Sequence, residues 1–299
     1  MSKVKVATAA STPRVSQKVA DYKMLVKLRL TLTVVFSALM AFFIAAPAEV
    51  SWWAVLVLGL GGFFVTGAAN ALNQVLEKDY DKLMKRTADR PLAAGRMTVS
   101  EAVLAAGLMA MAGIMLLALF NVWAAFFGML SLVAYAFLYT PLKRYSTMAI
   151  PVGAVPGALP MLIGCVAAQG DLTPLAFALF SFQFAWQFPH FWAIGWLGYE
   201  DYRKAGYKLL PERNGERDPN TGLYASAYAL LLIPLSFTLP LLGATGIWSA
   251  VFAAVLSLVY AALGVNLNRK KDRKSALYLM FGSLIYLPVV LIIFYLDKV

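Results

Sequence analysis

Long uncharged runs alternate with short charged ones along this chain. No Asp, Glu, Lys or Arg occurs at 30–48, 50–76, 102–142, 145–170, 172–199, 219–268 or 275–296. Several of these windows exceed the roughly 20 apolar residues that carry a helix across a bilayer core. The pattern predicts an all-α polytopic membrane protein with nine transmembrane spans, at 29–47, 52–76, 99–119, 122–140, 148–168, 173–197, 222–242, 246–267 and 275–296. Two of the divisions rest on short breaks, one at Asn121 and one at 242–246. An outer-membrane barrel would instead show short segments of alternating hydrophobicity.

The charged segments suggest an orientation. With the N-terminus cytoplasmic, the inner segments hold 25 of the 26 basic residues, and only Lys298 is left outside. Cytoplasmic segments of membrane proteins carry this excess of Lys and Arg. The alternation needs an odd number of spans and puts the C-terminus outside. Residues 1–28 read as a basic cytoplasmic tail, and 29–299 as a single transmembrane domain. The basic region and apolar core near the N-terminus are both longer than in a secretory signal, so the first span reads as uncleaved. A bacterial cytoplasmic (inner) membrane is the expected location.

Composition agrees: 61% of residues are hydrophobic and 14% charged, against about 25% charged in soluble domains. The net charge of +11 is accounted for by the inner basic clusters, so nucleic acid is not the expected partner; the lipid bilayer is. Cys165 is single and sits in an apolar run, which leaves no disulfide framework and no cysteine metal site.

The acids gather in two inner segments, 77–98 and 198–221, expected to lie on one side of the membrane and to cap one site. The first opens with "NQVLEKDYD" (73–81). If the second span stays helical to residue 81, Asn70, Asn73, Glu77 and Asp81 share an arc of roughly 80°, with Asp79 nearly opposite Glu77. Carboxylate and amide oxygens at this spacing suit Mg²⁺, which binds one or two carboxylates and completes its shell with water and substrate phosphates. Basic residues follow at Lys82, Lys85, Arg86, Arg90 and Arg96. Acids for a metal beside cations for phosphate describe a metal–diphosphate site. The plainer alternative is a solvated loop of mixed charge.

The sixth span, "SFQFAWQFPHFWAIGW", places Gln183, Trp186, Gln187 and His190 on one helical face. It points toward "GYEDYRKAGYKLLP" (198–211), where Glu200 and Asp201 are candidate metal ligands and Lys204 a candidate phosphate contact. His190 is the chain's one histidine. An ionisable group inside a span reads as functional: an iron ligand, a proton carrier or a headgroup contact, against the alternative of a hydrogen-bonded core histidine. The fifth span carries Pro151, Pro156 and Pro160, with Gly153 and Gly157 four apart, a spacing that lets helices approach closely.

Four stretches then carry a resemblance: "NQVLEKDYDKLMKRTADRPLAAGRM" (73–97), "YTPLKR" (139–144), "WQFPHFW" (186–192) and "EDYRKAGYKLLP" (200–211). Together they resemble the UbiA-type intramembrane prenyltransferases, and within them the heme-farnesylating subfamily. The resemblance implies transfer of a farnesyl group from farnesyl diphosphate to a vinyl group of heme B, with water added, giving heme O. It implies Mg²⁺ as cofactor. It makes Asn73, Glu77, Asp81 and Asp201 the catalytic metal-site residues, with Asp79 and Glu200 as further ligands. Lys82, Lys85, Arg86, Arg90, Lys143, Arg144 and Lys204 become the pool of diphosphate contacts. His190, Trp186, Gln187 and Trp192 become the heme contacts. Heme-modifying or oxidase-assembly proteins are the implied protein partners. The chain departs from the pattern at Glu77, where Asp is commoner, and at Ala205, four residues after Asp201, where a second acid is missing. A quinone-type prenyltransferase acting on an aromatic acid is the nearest rival. An ion-coupled transporter is a rival of another class, although no acid lies at mid-span.

Overall fold

The computed structural model describes residues 15–47 and 49–299. Residues 1–14, the first half of the expected basic tail, lie outside the described residues. Its second half is not a free tail: α1 (Val15–Leu25) is a helix. It is tied down by ion pairs from Lys18 to Glu101 and from buried Asp21 to Arg96, each 2.9 Å. Gln74 also donates to its C-terminal carbonyls, Met24 and Leu25.

Helices follow at almost every expected span: α2 (Leu28–Ala45), α3 (Trp52–Asp81), α4 (Val99–Ala118) and α5 (Val122–Val133). After α5 the backbone widens into a π-helical stretch (Ala134–Tyr139) and a last turn, α6 (Thr140–Leu142). Then come α7 (Ala149–Gln169), α8 (Pro174–Leu197), a short α9 (Tyr199–Lys204), α10 (Thr221–Leu241), α11 (Ile247–Lys270) and α12 (Arg273–Leu296). The helix α3 runs to Asp81, so the asparagines and acids of "NQVLEKDYD" stand on a regular helix. Eight helical segments are long and apolar enough to cross a membrane. The 24-residue α8 is not among them, because its glutamines and histidine lower its hydropathy.

Helix ends are set by local chemistry. Asn121 divides the long run at 102–142 by capping α5: its Oδ1 accepts from Ala124 N at 2.9 Å, while its amide donates to the Val166 carbonyl of α7 at 2.7 Å. One small departure from an all-α fold occurs at Glu212–Arg213 and Glu216–Arg217, which pair as the two-residue strands β1 and β2. Asn214 and Gly215 both take positive φ, 57° and 77°, the backbone that closes a tight hairpin.

At the centre lies α7, packed on α2, α5 and α8. Its small residues permit this: Gly153 faces the Tyr139 ring, Gly157 faces the Gln187 side chain, and Gly164 meets the backbone of α2 at Ala38. Outer faces are apolar and bare. On α4, Leu104, Leu108, Met111 and Met115 form one exposed stripe, the face a lipid tail would cover. Around the central helix α2, α3, α5, α8 and α12 enclose a cavity of 240 Å³.

Replacing Asn121 by Ala removes a cap and a buried tie to α7. We expect a loss of about 1–2 kcal/mol with helix content unchanged, measurable as a lower unfolding midpoint in detergent by circular dichroism.

Candidate active site

At the C-terminal end of α3 the side chains of Asn73, Glu77 and Asp81 are buried. Every one meets a cation. Lys27, at the N-terminal edge of α2, donates to Asn73 Oδ1 at 2.7 Å. Lys143, just past α6, forms an ion pair with Glu77. Arg90 reaches both Asp81 oxygens at 2.8 Å and comes within 3.9 Å of Glu77. Asn73 Nδ2 donates to Thr140 Oγ1 at 3.0 Å, and that hydroxyl donates to the Tyr135 carbonyl at 2.8 Å. The widened π turn thereby brings the "YTPLKR" segment onto α3.

Aromatic rings complete the enclosure. The Lys143 ammonium lies 4.7 Å from the Tyr139 ring and 5.4 Å from the Tyr207 ring. Tyr207 is held there by its own loop, whose Lys208 amide donates to the Lys143 carbonyl at 2.7 Å. Among the described residues the buried Tyr207 hydroxyl has no hydrogen-bond partner. Burial first, then the negative charge of Glu77, pushes this phenol far above its ordinary pKa, so it stays a proton donor. Burial, then the neighbouring Arg90, pushes the Lys27 ammonium well below its usual value. An incoming polyanion would favour its charged form.

The structure distributes the expected site residues unevenly. Asn73, Glu77, Asp81, Arg90 and Lys143 come together. Arg86 stands at the rim, hydrogen-bonded to the Tyr202 hydroxyl at 3.1 Å, and Arg144 stacks 4.3 Å from the Tyr80 ring. Asp79 faces outward and pairs with exposed Lys82 at 2.9 Å; Lys85 and Lys204 are exposed too. Asp201 is half-buried on α9, but Glu200 turns away to Arg203 and Arg217, 3.4 and 3.5 Å. By its charge, Lys27 is indistinguishable in the sequence from the other topology charges of the basic tail. Its position immediately before the first apolar run was the available signal.

Among the described residues no three His, Cys, Asp or Glu side chains are gathered to hold a metal. The donor set nonetheless fits Mg²⁺. Two carboxylates and an amide oxygen of α3 share one face, and such an ion takes its remaining ligands from water and phosphate.

A cavity adjoins this cluster at Asn70, Tyr135 and Tyr139 and runs between the helices to Gln183, Trp186, Gln187 and His190. All four polar or aromatic residues of the α8 face therefore line it. Gln183 and Gln187 donate to the Gly157 and Ala154 carbonyls, 2.7 and 3.0 Å, so they brace α7 while facing the space. Trp186 stacks on His190, with ring centroids 5.1 Å apart and 15° between planes. Trp192 does not share that space. It lies on another side of α8, packed on Phe188, Tyr224 and Tyr228, because two residues along a helix reverse the direction of a side chain. The whole forms an apolar chamber with one polar wall, separated from the charged cluster by Tyr135 and Tyr139.

The family model described as the UbiA prenyltransferase family matches residues 34–285. The chain belongs to this family. A protoheme IX farnesyltransferase of Cytophaga hutchinsonii is 44% identical, over 93% of this chain and 97% of its own. One of Flavobacterium johnsoniae is 40% identical over 97% and 98%. Among solved structures, a digeranylgeranylglyceryl phosphate synthase superposes with a TM-score of 0.76 at 19% identity, covering 94% of this chain and 98% of that one. A UbiA homologue of Archaeoglobus fulgidus bound to GPP and Mg²⁺ superposes with a TM-score of 0.61 at 17% identity, over 92% and 99%. The protein is thus an integral, multi-pass membrane prenyltransferase.

The pairing of Glu77 with Lys143 is open to test by a double-mutant cycle in detergent unfolding. Lys143→Met strands a buried carboxylate and is expected to cost about 3–5 kcal/mol. Adding Glu77→Gln to it should recover most of that loss. Additive losses would mean that the two side chains are not coupled.

Proposed function

We propose that this chain transfers the farnesyl group of farnesyl diphosphate to a vinyl group of heme B, with addition of water, yielding heme O and diphosphate. The observation that carries this reading is the near-full-length identity, 44%, to a protein named protoheme IX farnesyltransferase. The chamber supports it chemically. It offers cations at one end for diphosphate, and apolar walls for the prenyl chain. At the other end a stacked Trp186–His190 pair, with Gln187 beside it, meets a planar macrocycle.

Residue roles follow from placement. Glu77, Asp81 and Asn73 hold Mg²⁺, with Asp201 approaching from α9. Asp79 and Glu200, turned elsewhere, take no direct part in that shell. Mg²⁺, when bound, supplies charge that stabilises diphosphate as a leaving group. Lys27, Lys143 and Arg90 are already inside, and they pass from Asn73, Glu77 and Asp81 respectively to the diphosphate as it enters. Arg86 and Arg144 close the rim, while exposed Lys82, Lys85 and Lys204 serve the approach of the anion. Desolvation by the apolar walls protects the allylic cation from premature water.

We further propose that α8 crosses the membrane with the other eight long helices, its polar face turned to the chamber rather than to lipid. The N-terminus and the active site then face the cytoplasm of a bacterial inner membrane, and the C-terminus lies outside. The segments 77–98 and 198–221 cap the site. Heme-supplying and oxidase-assembly proteins are the expected protein partners.

Purified protein incubated with heme B, farnesyl diphosphate and Mg²⁺ should yield heme O by mass analysis. Conversion of 4-hydroxybenzoate in place of heme would favour the quinone-type rival. Glu77→Ala and Asp81→Ala should each lower turnover by at least about 100-fold while leaving a folded protein. Undiminished heme O in extracted hemes from either variant would remove these residues from the metal site.

A further inference from the structure

Among the described residues the His190 ring makes one hydrogen bond, and the other bond of its partner assigns the tautomer. Its Nδ1 lies 2.7 Å from Ser283 Oγ on α12. A serine hydroxyl has one proton to give. The Met280 carbonyl, which can only accept, lies 2.5 Å from Ser283 Oγ and is the acceptor to which that proton is assigned. Toward the imidazole the hydroxyl is therefore an acceptor, so Nδ1 carries the hydrogen. In a neutral imidazole the other nitrogen then holds a lone pair. Nε2 makes no hydrogen bond among the described residues, and the ring lines the chamber. Ser283 is fully buried, and its carbonyl also accepts from Trp186 Nε1 at 3.0 Å. One residue thus holds both the imidazole and the indole stacked on it.

We propose that Ser283 is a positioning residue that locks His190 in the Nδ1–H form, so that Nε2 takes the proton of the water that adds to the farnesylated heme. This rests on the function proposed above. The carbon–oxygen bond of farnesyl diphosphate breaks, and its electron pair leaves on the diphosphate. The vinyl π pair forms the new carbon–carbon bond, which leaves the carbon beside the macrocycle cationic. A water oxygen bonds to that carbon, and one of its protons passes to Nε2. Without a base there, the cation has a competing exit: it loses a neighbouring proton and ends as an alkene, one water lighter than heme O.

The single histidine of the sequence permits a direct reading. In protein made with ¹⁵N-histidine and purified without a histidine tag, the nitrogen shifts of one imidazole report which nitrogen is protonated. We expect Nδ1 protonated and Nε2 bare, with Ser283→Ala giving a mixture of tautomers. A protonated Nε2 in the unaltered chain overturns the assignment whether or not heme is farnesylated. In turnover, His190→Gln should lose about 100-fold and Ser283→Ala about tenfold. Both should raise the share of the dehydrated product, and Ser283→Thr should restore heme O. An unchanged rate and product ratio in both weakened variants overturns the proton role. So does loss of an axial-ligand signature from the heme spectrum in His190→Ala, which would put Nε2 on iron. If the expected nitrogen pattern is seen but no heme is farnesylated, the function reading fails and the Ser283 lock stands.

Discussion

Two buried carboxylates at the C-terminal end of α3 constrain everything around them. Glu77 and Asp81 lie where a membrane helix meets its enclosure, and an unpaired charge there would be costly by several kcal/mol. Their partners come from distant parts of the sequence: Arg90 from the loop after α3, Lys143 from the turn after α6, and Lys27, through Asn73, from the edge of α2. Neutralising the acids therefore folds three inner segments onto one point. The Lys208–Lys143 backbone bond adds a fourth. A cluster so held is poised between two uses, since the same cations that satisfy the carboxylates are those a diphosphate would recruit.

A second constraint is steric. An apolar cavity in the middle of a helix bundle needs walls that do not collapse. The glycines of α7 let Tyr139, Gln187 and the α2 backbone come close, and the glutamines of α8 bond to carbonyls of that same helix. Polar side chains in α8 thus serve as braces as well as lining, which is how α8 accommodates two glutamines and a histidine in its interior.

Much of this was legible in the sequence for a simple reason. Charge-free windows and bilayer thickness set the helix lengths, and 3.6-residue periodicity sets faces within a helix. The α3 face of Asn70, Asn73, Glu77 and Asp81 and the α8 face of Gln183 to His190 follow from those two rules alone. So does the outward turn of Asp79. The same rule, had it been applied to Trp192, separates it from His190. Relations between helices were out of reach. Lys27 joins the site through a fold-level contact with α3, Glu200 is drawn off by Arg203 and Arg217, and Ser283 looks like any small residue of a span until α12 is laid beside α8.

The asymmetry between the two ends of the chamber explains how one site can both exclude and use water. Beside the charged cluster the acids are paired with cations and ringed by Tyr139 and Tyr207, so a cation released there faces aromatic rings rather than unpaired carboxylates. At the far end the imidazole nitrogen offers a lone pair, beside the Gln183 amide oxygen, which has no hydrogen-bond partner among the described residues; the direction of the imidazole lone pair is set by the Ser283 hydroxyl. Water arriving beside that nitrogen is oriented, whereas water elsewhere along the apolar walls has nothing to hold it. Selectivity between capture and elimination is then set by one hydrogen bond on α12 rather than by how dry the cavity is.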